Sequence, residues 1–310
     1  MGLMGLMGSD LEMPHSSKDQ RENPFDLLKN VAFQDLTPSA TKIRAYQVIL
    51  ALVVFAEYWT KALQTWALVE AEDVVALAAV TLLAAAVVHG RWRRPAFVGF
   101  TLLQAWYIWT YFPLTGNHRY LELTIAGLFA FLDDRKDDER RLLLRALQWT
   151  FIVVLFYGGL QKLVHGYYFH GQFLSYSLWR VGFHAALEPL LPAHEFERLT
   201  SYVAAVGDGP YIVSSPAFLA VSNAVWIVEI ALAAMLCLRA TRPVAWVTGL
   251  VFVVAMEVVA REFMFGIEIA CAMLLFSRTD VIRRAILPVA VLLATLVLMR
   301  VGLLPGFLFH

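Results

Sequence analysis

The amino-acid sequence predicts an all-α, polytopic integral membrane bundle of about nine transmembrane helices, with the N-terminus cytoplasmic and the C-terminus outside. Three observations carry that expectation. The 310 residues are 59% hydrophobic and only 16% charged, against about 25% charged in soluble domains. Nine apolar segments approach the roughly 20 residues needed to cross a bilayer. Lys and Arg gather in every second connection. Basic and acidic residues balance at 25 each, so no bulk attraction draws the chain to nucleic acid.

The expected spans are 45–65, 73–89, 96–112, 118–132, 143–163, 217–238, 244–260, 264–277 and 284–303. Segments 118–132 and 264–277 are short and must tilt little or thin the bilayer. The tail carries Lys18, Arg21, Lys29, Lys42 and Arg44; later basic groups are Arg91, Arg93 and Arg94, then Arg135, Lys136, Arg140 and Arg141, then Arg239 and Arg242, then Arg278, Arg283 and Arg284. Positive connections stay in the cytoplasm, which orients the whole chain. Residues 1–43 read as a cytoplasmic tail. Its opening is low in complexity, lacks the pattern of a cleavable signal and is expected to be disordered. Phe25, Leu28 and Ala32 stand at the spacing of a surface amphipathic helix. Residues 44–303 form the transmembrane domain, and 304–310 a short external C-terminus. The two cysteines, Cys237 and Cys271, fall in apolar runs and are expected to form no disulfide.

One connection is long, about 164–216, and it is external. It carries Tyr167, Tyr168, Phe169, Phe173, Tyr176, Trp179 and Phe183. Two readings fit: an aromatic belt at the headgroups, or a lid of amphipathic helices over an opening in the bundle.

Ionisable residues within spans are costly and usually face a bundle interior. Here they share one level. Glu57 and Lys61, four apart, can pair on one helix face near the outer end of the first span. His118 and Glu122 open the fourth span, Lys162 closes the fifth, Glu257 and Arg261 repeat the four-residue spacing, and Glu268 begins the eighth. Glu229 joins from below. This distribution predicts a polar pocket in the outer half of the membrane. A lysine drawn into such a site serves as a general base, although a terminal lysine also snorkels to the interface. No HxxxH or HExxH spacing is present, so no metal site is expected.

Two short elements carry a resemblance. Gly116-Asn117-His118-Arg119-Tyr120-Leu121 opens one span, and Tyr157-Gly158-Gly159-Leu160-Gln161-Lys162-Leu163 closes the next. In order, spacing and membrane side they resemble the N-H-x-Y-L and Y-x-x-G-x-x-K-L elements of the horizontally transferred transmembrane (HTTM) family, which includes vitamin K-dependent γ-glutamyl carboxylase. The resemblance extends over roughly 45–276, and its later part rests on hydropathy and on Glu257. It implies a reduced quinone, menaquinone or a vitamin K-like hydroquinone, with Lys162 as base and His118 and Asn117 shaping the site. The quinol would be lined by Tyr157, Gly158, Gln161, Tyr120, Glu57 and Glu257. Tyr168-Phe169-His170-Gly171 stands where the family has Trp-x-x-Gly at another spacing. The carboxylase's large external domain would have no counterpart after His310.

The implied activity is that of a quinol-dependent oxygenase or lyase of the epoxidase or carboxylase kind in a bacterial inner membrane. Membrane lipid would be its surroundings, and a protein client or a larger membrane complex its partner. The alternatives are a quinone- or lipid-binding protein without turnover, and a structural subunit of a respiratory or photosynthetic complex.

Overall fold

The computed structural model describes residues 39–64, 71–113, 117–181, 187–200, 211–238, 240–260 and 263–300. The expected surface helix near 24–34 and the C-terminal residues 304–310 lie outside them. The described residues contain helices and no strand. In chain order the helices are α1 (Ala40–Gln64), α2 (Ala71–His89), α3 (Arg93–Tyr111), α4 (Asn117–Phe131), α5 (Asp137–His165), α6 (Gln172–Val181), α7 (Ala193–Thr200), α8 (Pro216–Cys237), α9 (Arg242–Ala260), α10 (Phe263–Met273) and α11 (Thr279–Arg300). Each expected span coincides with one of them. α2, α5 and α8 are long and apolar enough to cross a membrane, which marks a membrane protein. Its exterior agrees. Leu82, Phe131 and Leu287 are exposed, and Trp109 is 86% exposed, a surface that water would not tolerate over such an area.

Local chemistry sets the ends. The Ser39 hydroxyl accepts the Lys42 backbone N–H at 3.0 Å and caps α1. The helix therefore begins earlier than the apolar run alone implies. Lys42, expected in the soluble tail, lies inside the helix, fully buried, with its Nζ donating to the Ser277 carbonyl at 2.5 Å. α5 opens on Asp137, Asp138 and Glu139 and closes on Lys162 and His165, the charge order that a helix dipole favours. Gly166 ends it at φ 72°, its N–H returning to the Lys162 carbonyl. α8 starts with Ser215 as cap and Pro216 in the first turn.

α1 is central, packing against α2, α10 and α11; α3 pairs with α4, α5 with α8, and α9 with α8 and α10. One apolar core runs through all of them. The polar contacts tie like ends together. Ser39 meets Thr279, Arg93 reaches Gln47 and Asp134, and Arg94 donates to the Ala130 and Phe131 carbonyls. At the other end Glu57 of α1 meets the start of α4.

The long connection packs as well. Leu174, Leu187, Leu191, Leu199, Tyr211, Val213 and Phe218 form a second, smaller core that gathers α6, α7 and the start of α8. Tyr168 stacks on Phe173 at 5.0 Å between ring centres, and Tyr176 meets Tyr211 edge-on. These rings pack against one another beside the bundle end.

Candidate functional site

Two polar centres stand inside the bundle. The first is built by α1, α3, α4 and α10. α4 has 15 residues, about 22 Å at 1.5 Å per residue, and α10 has 11. Both are short against a hydrocarbon core of roughly 30 Å. His118 and Arg119 fall in the first turn of α4, and Glu122 follows three residues after Arg119 on the same face.

Arg119 is the hub. Its Nη2 lies 2.8 Å from Glu57 Oε1, and its Nη1 lies 3.1 Å from Glu122 Oε2. His118 Nε2 meets Glu57 Oε1 at 2.8 Å. Gln104 Nε2 donates to Glu122 Oε2 at 2.6 Å, and Arg119 Nη1 donates to Gln104 Oε1 at 3.4 Å. The guanidinium lies 4.7 Å from the Tyr58 ring and 4.5 Å from the Tyr107 ring, a placement the ring quadrupoles favour. Arg119 is 2% exposed and Gln104 and Glu122 are equally enclosed. Glu268 of α10 completes the group: one oxygen from each of Glu57, Glu122 and Glu268 lies within 4.8 Å of the others.

The second centre is a pair. Lys162 Nζ donates to both oxygens of Glu229, each at 2.7 Å. The Lys162 side chain is 22% exposed and that of Glu229 is 4% exposed. Nζ lies 5.8 Å from the centre of the Tyr168 ring. Gly159 lets the helices approach, and Gly158 beside it does not limit them. A Cβ on Gly159 would come within 2.7 Å of Ile230 Cγ1 and 2.9 Å of the Trp226 carbonyl oxygen; one on Gly158 would lie 3.6 Å from Glu229 Oε2 and 3.9 Å from Lys162 Nζ. Small residues at a membrane-helix contact serve this purpose.

The expected site residues therefore divide. His118 and Glu57 are brought into direct contact, and Gly158 lies against the Lys162–Glu229 pair. His118 does not bond to Lys162: each has its own carboxylate. Glu57 turns to His118 and Arg119 rather than along its helix to Lys61, because the buried guanidinium needs a counter-charge more than an exposed lysine does. Lys61 instead donates to the Tyr107 hydroxyl at 3.2 Å. Tyr157, Gln161 and Tyr120 are on exposed faces. Asn117 opens α4 and Glu257 lies in α9, and their side chains fall outside the described residues. Arg119 and Gln104 were not anticipated as functional. An arginine beside a histidine at a span end looks like an interfacial residue. The available signal was Arg119 standing three residues before Glu122. Compared with known proteins, the chain matches no family model, no curated protein and no solved structure.

Proposed function

We propose that the chain is a quinol-handling membrane protein of the HTTM kind, a quinol-dependent oxygenase of the epoxidase or carboxylase class. In this reading its proton-accepting unit is the Lys162–Glu229 pair rather than Lys162 alone. The observation that carries the reading is an amine held at 2.7 Å from a nearly enclosed carboxylate, partly open to the outside of the bundle. Beside it stands an aromatic wall: Tyr168 stacked on Phe173, and Phe169 edge-on to Trp226 at 5.9 Å. A flat ring arriving from lipid suits such a wall, with a few polar groups fixing its orientation. A bound quinol would supply the reducing electrons for chemistry on oxygen. Of the chain's own groups, the Glu229 carboxylate accepts the hydroxyl proton, and the Lys162 ammonium stays beside the negative charge left on the ring oxygen.

The nine-crossing topology, with a cytoplasmic N-terminus in a bacterial inner membrane, belongs to the same proposal. Its support is the alternation of basic connections and the polar contacts that join segments expected at one face. A second reading, quinone or lipid binding without turnover, is favoured by one observation: His118 is committed to Glu57 and does not meet Lys162.

The purified chain, given menaquinol or ubiquinol and oxygen, is expected to form quinone epoxide, and Lys162→Ala and Glu229→Gln are expected to abolish it. Quinone that co-purifies without any turnover would replace the enzyme with the binding protein. Stoichiometric co-purification with a respiratory or photosynthetic complex would make the chain a structural subunit.

A further inference from the structure

We infer that Glu57, Glu122 and Glu268 form a binding site for a hard divalent cation of about the size of calcium, enclosed within the bundle and separate from the Lys162–Glu229 pair. Three observations lead there. The first is how the donors are spent. Arg119, His118 and Gln104 engage Glu57 Oε1 and Glu122 Oε2. Glu57 Oε2, Glu122 Oε1 and both oxygens of Glu268 are buried and meet no hydrogen-bond donor among the described residues. Glu268 is itself 5% exposed. One oxygen of each of the first two carboxylates is thus oriented by a donor, and the other is left for a further ligand.

The second is charge. Three carboxyl groups face one guanidinium and one imidazole, and an uncompensated buried charge costs several kcal/mol. A divalent cation would balance the carboxylate charge that Arg119 and His118 leave over.

The third is size. Oxygens all within 4.8 Å of one another share a centre at most about 2.8 Å from each, which takes in Ca–O distances of 2.3–2.6 Å, whereas Mg²⁺ dehydrates reluctantly and is rarely held by an all-protein cage. Carboxylate oxygens are the ligands that hard cations select.

The full-length protein in detergent micelles, stripped with chelator, is titrated with radioactive Ca²⁺ by equilibrium dialysis and followed by thermal unfolding. One Ca²⁺ per chain is expected, with a rise in Tm that Mg²⁺ reproduces only weakly. Glu268→Gln is expected to weaken binding tenfold or more and to lose that rise, while Glu195→Gln, in the long connection between α5 and α8, keeps both. Glu268→Asp, which retains the charge with a shorter reach, is expected to fall between them. A wild type that binds no Ca²⁺ saturably and gains no Tm would overturn the proposal, whatever the variants do. So would a folded Glu268→Gln that binds as tightly as the wild type. In either case a carboxyl C=O stretch lost in Glu268→Gln would identify a shared proton as the occupant.

Discussion

The two polar centres of the bundle are built on opposite plans. In the Arg119 cluster one cation serves two carboxylates, an amide and two aromatic rings, and four helices contribute. At Lys162 one cation serves one carboxylate, two helices contribute, and part of the amine stays accessible. The first arrangement orders helices by charge and leaves little room for a visitor at the guanidinium. The second leaves one flank open. A buried network and a half-open pair can thus use the same residue types for different ends: the difference lies in whether the cation is enclosed, as Arg119 is, or partly accessible, as Lys162 is. Reactivity toward an outside molecule is expected at the pair, and coupling among helices at the cluster.

The sharpest way to break this contrast is Arg119→Met. It removes the guanidinium from Glu57 and Glu122 and leaves the carboxylates facing one another in a dry interior. Breaking a buried ion pair by deleting one partner costs about 3–5 kcal/mol. The expected outcome is loss of a monodisperse peak in size-exclusion chromatography, or a Tm lowered by more than for any single change at Lys162. A variant as stable as the wild type would show that the network contributes nothing net.

A smaller effect separates the two glycines of the pair. Gly159→Ala places a methyl against the Trp226 carbonyl oxygen, a backbone atom that cannot yield, and against Ile230. Overpacking of this kind costs typically 1–3 kcal/mol, and the separation of α5 from α8 is expected to weaken the Lys162–Glu229 contact. Gly158→Ala meets only ordinary contacts at 3.6 Å and beyond and is expected to unfold within a degree or two of the wild type. Thermal unfolding of the two variants side by side checks it; equal losses would mean that helix approach does not depend on Gly159.

How much of this was legible beforehand follows from what sequence can encode. Hydropathy marks where a long apolar run closes its backbone hydrogen bonds as a helix, so each expected span coincides with a helix, even the short α4 and α10, and α2, α5 and α8 are long and apolar enough to cross a membrane. Caps are harder to see. Ser39 starts α1 early enough to bury Lys42, a lysine that charge alone assigned to the tail. The level shared by Glu57, His118, Glu122 and Glu268 was visible as a run of ionisable residues at similar distances from span ends. Which of them touch was not visible, because contact across helices depends on rotation and packing rather than on depth. Glu229 shows this most clearly: it stands in the middle of an apolar run and nothing local names its partner, yet it is the carboxylate that holds Lys162.

The long connection between α5 and α8 offers the mildest test, and its sign can be worked out. Desolvation alone would raise the Glu195 carboxyl, but hydrogen bonds from the Ser214 hydroxyl and from the backbone N–H groups of Ser214 and Ser215 outweigh it and hold the group below its ordinary value. A carboxyl lowered in the folded state adds stability above its unfolded value, near 4.3, and loses that contribution as pH falls through the lower folded value. Tyr211, Val213 and Leu199 share the small core beside it, so acid should loosen this region first while the bundle holds. Hydrogen exchange of residues 187–200 and 211–218 is expected to accelerate below about pH 4, with the exchange of α5 and α8 unchanged. Ser214→Ala, which removes a bond of about 1 kcal/mol, should raise exchange there at neutral pH and flatten its acid dependence. If α5 and α8 open together with the connection, the small core is not a separate unit, and acid sensitivity of the Lys162–Glu229 site would have to be read as global unfolding.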